Sequence, residues 1–179
     1  MSKTPEPPRK YLFVGPTDGP PQMPRSKPSE VTPGDCLLRT AAGLKQVEES
    51  HGPASTQALT ADDGVCQVTM RALHSATCYR VQIGYRTIAG PGSMEVLTVD
   101  GWRRLDALSV GDRAVTRCGT KKPPMEICGV KLGPKHALRL VEAIEQVPFS
   151  VVYEPQSDQE SAIELHGVVV RSKPGSREG

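Results

Sequence analysis

Aromatic side chains are scarce in this chain: one Trp, two Phe and four Tyr among 179 residues. With a hydrophobic fraction of 37%, a modest core is possible, enough for one domain or two small ones. No apolar run approaches the roughly 18 residues that a membrane-crossing helix needs. The N-terminal stretch lacks the apolar centre of a signal peptide, so the expectation is a soluble protein not secreted by that route. Charge of neither sign dominates. The 22 Lys and Arg against 20 Asp and Glu leave a net charge of +2, so no nucleic-acid partner is indicated by charge. The five cysteines, Cys36, Cys66, Cys78, Cys118 and Cys128, are odd in number and never spaced as CxxC. No three histidines or carboxylates are spaced as metal ligands, so neither metal nor cofactor is expected. Reduced, buried thiols are the plain reading, with a Cys66–Cys78 or Cys118–Cys128 disulfide left open. There is no glycine-rich loop of the kind that cradles phosphate.

Proline, by contrast, is abundant, and it is concentrated at the start. Residues 1–34 hold Pro5, Pro7, Pro8, Pro16, Pro20, Pro21, Pro24, Pro28 and Pro33. Proline has no amide donor and resists both helix interiors and central strands. This predicts an extended arm, interrupted by the apolar tetrad Tyr11, Leu12, Phe13 and Val14. Such a tetrad cannot form a core alone, so it reads as an anchor that packs on the body or on a neighbouring chain.

Beyond the arm the pattern is one of short strands. Thr32–Thr40 and Ser109–Thr116 echo each other, each a Gly-Asp turn followed by a short strand. Leu44–Val47 reads as a return strand, and the polar stretch from Glu48 to Asp63 as a loop. Val65–Ala72 predicts a strand, His74–Thr77 a turn, and the alternation of Tyr79, Val81, Ile83 and Tyr85 a second strand. Met125–Leu132 is strand-like. Leu140, Val141, Ile144 and Val147 recur at helical spacing, which predicts one helix over His136–Val147, ending before Pro148. Phe149, Val151 and Tyr153 alternate as a strand, and His166-Gly167 sits between two apolar runs as a final hairpin.

The most organised stretch is Val96–Thr116. A run of β-formers meets Asp100-Gly101, a strong hairpin signal. The chain returns through Trp102 and Leu105, turns at Gly111-Asp112 and leaves as Arg113–Thr116. This stretch resembles the opening blocks of the Hint fold, shared by inteins and hedgehog autoprocessing domains. Leu105 and Leu108 match that family's spaced apolar pair and Gly111-Asp112 its Gly-Asp. Val151–Glu154 resembles its Val-Tyr-Asp strand, and Leu165–Val170 its final strand. The resemblance covers about Ala89–Ser172. It implies a mainly β architecture: a Hint-like antiparallel module with one short helix over 89–172, a smaller β region over 35–88, the proline-rich arm over 1–34 and a polar tail over 173–179.

Hint chemistry starts when a thiol attacks the preceding carbonyl, with a histidine assisting at the departing amide. Inteins finish by cyclising an asparagine beside another histidine. Counting back from Val96–Val99 puts the nucleophile position at Ala89, which has none. Ser93 and Thr87 are the hydroxyls nearby. Arg171-Ser172 stands where His-Asn is expected, and His136 falls where the family keeps its first histidine. The resemblance therefore implies a degenerate module with no catalytic residues: a non-enzymatic structural or interaction protein. Its partners would be protein subunits in an oligomeric assembly such as a phage virion, and its place the cytoplasm or the virion. Trp102 joins the tetrad as a candidate assembly anchor. The alternative implied is a self-cleaving autoprocessing domain.

Overall fold

The computed structural model describes residues 32–33, 36–47 and 55–174. The tetrad Tyr11, Leu12, Phe13 and Val14 and the tail beyond residue 174 lie outside the described residues. The described chain is a strand protein. In order come β1 (Leu37–Thr40), β2 (Gly43–Gln46), β3 (Thr56–Leu59), β4 (Val65–Ile83), β5 (Arg86–Pro91), β6 (Glu95–Thr98), β7 (Gly101–Arg104), β8 (Arg113–Arg117), β9 (Met125–Ile127), β10 (Val130–Leu132), β11 (His136–Ser157), β12 (Ser161–Leu165) and β13 (Val168–Ser172). Eleven of these belong to one antiparallel sheet, and β9 and β10 form a separate hairpin.

Two long strands form the spine. β11 pairs with β4 from Val141 opposite Ile83 to Ser157 opposite Val68. This corrects the helix expected over His136–Val147. The apolar spacing there comes from a register shift between Val141 and Ala143. A bulge adds one residue and shifts the phase of the period-2 pattern, so the sequence imitates a helix while Val141 and Ala143 both stay buried. The β-branched and aromatic partner strand then overrides local propensity. A 3-10 turn spans Leu105–Ala107. β4 likewise runs unbroken through His74–Thr77, where a turn was expected, and β3 occupies part of the expected loop.

The hairpins fall where glycine and asparagine-like turn chemistry put them. β6 and β7 pair Thr98 with Gly101 and Leu97 with Trp102. Gly101 (φ 115°) and Gly111 (φ 101°) adopt the left-handed region that L side chains avoid. β12 and β13 turn at His166 (φ 51°) and Gly167 (φ 77°), both left-handed as a tight hairpin turn with the sheet's twist requires.

The boundary expected at residues 88 and 89 falls inside β5. β1 pairs with β12 at Leu38 and Leu165, so strands from both sides of that boundary share one sheet. The main core holds Leu38, Met70, Val81, Ile88, Val96, Ile163 and Val170 together, and a smaller cluster gathers Leu97, Val115, Leu132 and Val169, with Trp102 packed against it.

Candidate functional site

Arg171 and Ser172 close β13. Arg171 reaches across the sheet, donating from Nη1 to Glu95 Oε1 at 2.7 Å and from Nη2 to Glu160 Oε1 at 2.8 Å. Its guanidinium carbon lies 5.8 Å from the centroid of the Trp102 ring, a cation–π contact. The bonds to Glu160 and Glu95 push the guanidinium still further toward its charged form, and the bond from Arg171 holds the Glu160 carboxyl below its usual range. The next residue, Ser172, is fully buried, and its hydroxyl donates to Ser157 Oγ at 2.9 Å. This dipeptide supplies neither an imidazole nor a carboxamide, and both side chains are committed to partners. Ser93 lies in the neighbouring cleft of about 220 Å³, where its hydroxyl donates to Glu154 Oε2 at 2.9 Å. The same cleft is lined by Arg71, Glu95, Arg171 and Lys173, charges of both signs.

Ala89 sits in the middle of β5, almost fully buried, with β1–β4 before it in the same sheet. It is therefore an interior residue of the fold and does not lie at its start, as the counting from Val96 had placed it. Thr87 is buried on the same strand. Facing Ala89 is a thiol. Cys36 Sγ accepts from the Ala89 amide at 3.4 Å and donates to the Ala89 carbonyl at 3.6 Å. Strand β5 pairs with β4 on its other side, so this one side chain stands in for a neighbouring strand at the free edge.

His136 opens β11 and is 1% exposed. Its Nδ1 lies 3.2 Å from the Gly133 carbonyl, and its Nε2 lies 2.8 Å from Glu164 Oε2. A carbonyl only accepts, so Nδ1 carries a proton and donates. Glu164, also 1% exposed, receives a two-pronged bond from Arg117: Nε to Oε1 at 2.7 Å and Nη2 to Oε2 at 3.2 Å. Arg39 Nη1 adds an ion pair at 3.5 Å. Burial works to raise the Glu164 pKa, but the bonds from His136 and Arg117 outweigh it and hold the carboxyl below its usual range. Arg39 and Arg117 also approach Asp63 at 3.1 and 3.8 Å. The cluster is closed: His136 faces only a carbonyl and a carboxylate inside the protein. Glu164 was missed by sequence reasoning. The available signal was a charge inside the apolar run Ala162–Leu165, buried on both faces of its strand.

Among the described residues, no three His, Cys, Asp or Glu side chains converge as metal ligands. The Cys78 thiol is pushed up to about 11 by burial, and burial raises that of Cys66. None of the five cysteines forms a disulfide.

No protein-family model and no curated protein sequence matches the chain. Solved structures do. The DnaB intein of Synechocystis superposes with a TM-score of 0.59 at 16% identity, covering 78% of this chain and 95% of the intein. The DnaX mini-intein of Spirulina platensis gives 0.56 at 19%, covering 76% and 96%. A bacterial intein-like domain of Clostridium thermocellum gives 0.51 at 17%, covering 75% and 92%. Each of these shares is larger than the stretch 89–172 alone would supply. Mainly antiparallel and closed around the β4–β11 spine, the chain has the Hint fold of the mini-inteins.

Proposed function

We propose that this protein is a non-enzymatic interaction module on a Hint fold, which has lost the autoprocessing chemistry of that fold's self-splicing members. The observation that carries the reading is the end of β13. A cyclising asparagine needs a free carboxamide beside a histidine. Here Arg171 is tied to Glu95 and Glu160, and the Ser172 hydroxyl is buried against Ser157. His136, the remaining candidate for acid assistance, is enclosed by Gly133 and Glu164. We further propose that the module serves as a subunit of a larger assembly, a phage virion being the specific case, with Tyr11–Val14 of the proline-rich arm as its contact. Ordering a whole arm at roughly 1–2 kcal/mol for every residue costs more in sum than burying the side chains of one tetrad returns at roughly 1.5–3 kcal/mol each. Added strand pairing with a neighbouring subunit can close that gap.

Incubation of the purified full chain with dithiothreitol or hydroxylamine, followed by intact mass measurement, tests the first part. The expected result is an unchanged mass. Any discrete fragment produced by thiol or hydroxylamine returns the self-cleaving reading. Deletion of residues 1–30 tests the second: the body should fold but no longer assemble, and normal assembly of the truncated chain overturns the role of the arm.

A further inference from the structure

We propose that the cleft between the β4–β5 turn and the end of β8 binds a nucleotide through its phosphate, with Tyr85 stacking on the base. This site is independent of the reading given above. The cleft has a volume of about 320 Å³, at the small end of ligand sites. Arg86, Arg117 and Arg139 line it together with Tyr85 and Gly119, and no carboxylate does. The other three described clefts each hold acidic side chains: Glu95 and Glu154 in one, Asp158 in the second, Asp62 and Glu160 in the third.

The three arginines are not equivalent. Arg117 is spent on Glu164. Arg86 is half-buried and clamped by carbonyls alone, from Nε and Nη2 to the Arg117 oxygen at 3.1 and 2.8 Å and from Nη1 to the His166 oxygen at 3.5 Å. Among the described residues no carboxylate lies within ion-pair distance of it, so its charge is fixed in place and not neutralised. Arg139 runs its stem over Gly84 and, among the described residues, donates from Nη1 only to the Leu138 carbonyl at 3.2 Å, leaving its outer donors available there. Guanidinium groups present paired donors that match a phosphate. Tyr85, at the rim, is 98% exposed. Such a ring beside unneutralised guanidiniums is the combination that holds a base and its phosphate together. The chain leaving Gly119 carries Lys121 and Lys122. It is laced to the opposite segment by the Cys118 amide on the Lys135 carbonyl at 2.9 Å and by the Lys122 amide on the Pro134 carbonyl. Both lysines are exposed. The overall charge of +2 conceals this local excess.

A free nucleotide and a single-stranded oligonucleotide offer the same chemistry, and the test separates them. Full-length protein is titrated into fluorescein-labelled oligo-dT at low salt and followed by anisotropy, and AMP is titrated in parallel by calorimetry. At least one of the two is expected to bind, with affinity falling as salt rises. Arg139→Glu and Tyr85→Ala should each weaken binding by about tenfold or more, and Arg71→Ala, in the mixed-charge cleft, should leave it unchanged. Both positions are exposed, so folding is checked by the melting transition, with Arg139→Ala as the milder variant. Oligo-dT binding without AMP binding assigns the site to a strand; AMP binding alone assigns it to free nucleotide. Binding of neither overturns the proposal. So does binding that survives both substitutions, which would place it on another surface, and so does inorganic phosphate competing as well as AMP, which would deny Tyr85 its part.

Discussion

The Nε2 atom of His136 and the Oε2 atom of Glu164 lie 2.8 Å apart, with both residues 1% exposed. A buried carboxylate is tolerated only when it is paired and its lone pairs are filled, and here His136, Arg117 and Arg39 do both. The pair joins the start of β11, one of the two spine strands, to β12. Its role is to hold these strands in register around a polar centre.

The first prediction follows from the direction of the Glu164 pKa. Because folding lowers it, the group stabilises the fold fully at pH above its ordinary value of about 4.5, and that contribution is lost as pH falls through 4.5 toward the lowered native value. Glu164→Gln should therefore cost on the order of 3 kcal/mol at neutral pH and flatten the acid limb of stability. Urea melts at pH 7 and at successive steps below pH 4.5 measure both. Wild type and variant losing stability in parallel below pH 4.5 would show that Glu164 does not drive the acid transition.

Cys36 gives a second prediction. Its sulfur is the partner of the Ala89 amide at 3.4 Å. Cys36→Ala should leave that buried N–H without an acceptor and cost about 1–3 kcal/mol, whereas Cys36→Ser should retain part of the contact. Amide exchange is the decisive readout. The Ala89 amide should lose protection in Cys36→Ala, while Val81, on the neighbouring strand and fully buried, keeps it. Equal protection of Ala89 in both variants and wild type would mean the thiol is only a space filler.

Third, the Asp100-Gly101 hairpin depends on a conformation that a β-branched residue resists. With φ at 115°, Gly101→Val should cost on the order of 1 kcal/mol or more. A Cβ there would meet Cys128 Sγ at 3.6 Å, an ordinary contact, so the penalty belongs to the backbone. An unchanged melting temperature would deny the strain.

What was legible in the sequence was local. The turns at Asp100-Gly101 and His166-Gly167 and the short strands beside them follow from residues next to one another, and so did the resemblance to the Hint fold. What was not legible depends on distant partners. β4 and β11 are each long because the other is, and the bulge at Val141–Ala143 wrote a helical spacing into a strand. Ala89 was placed at the start of a module because the strands that precede it join the rest of the sheet through β11 and β12, far along the chain. The triple contact of Arg171 with Glu95, Glu160 and Trp102 crosses several strands. Nothing in the local pattern around Arg171 announces it.

The last prediction concerns Gly167 and Arg86. At φ 77°, Gly167 is strained for any other residue. A Cβ there would also fall 2.4 Å from Arg86 Cζ and Nη1. The guanidinium could swing aside, but only by giving up its bonds to the Arg117 and His166 carbonyls. Gly167→Ala therefore carries two costs, about 1–2 kcal/mol of backbone strain and about 1–3 kcal/mol from the carbonyls left bare. Gly129 supplies the comparison. It has a similar φ of 84° with nothing within 4 Å of its would-be Cβ, so Gly129→Ala should show the backbone cost alone. A double-mutant cycle isolates the second cost. In an Arg86→Ala background the carbonyls are already bare, and the penalty of Gly167→Ala should shrink to that of Gly129→Ala. If Gly167→Ala costs the same with and without Arg86, the two residues are not coupled. The β12–β13 turn would then be held by its own backbone and not by the guanidinium stacked against it.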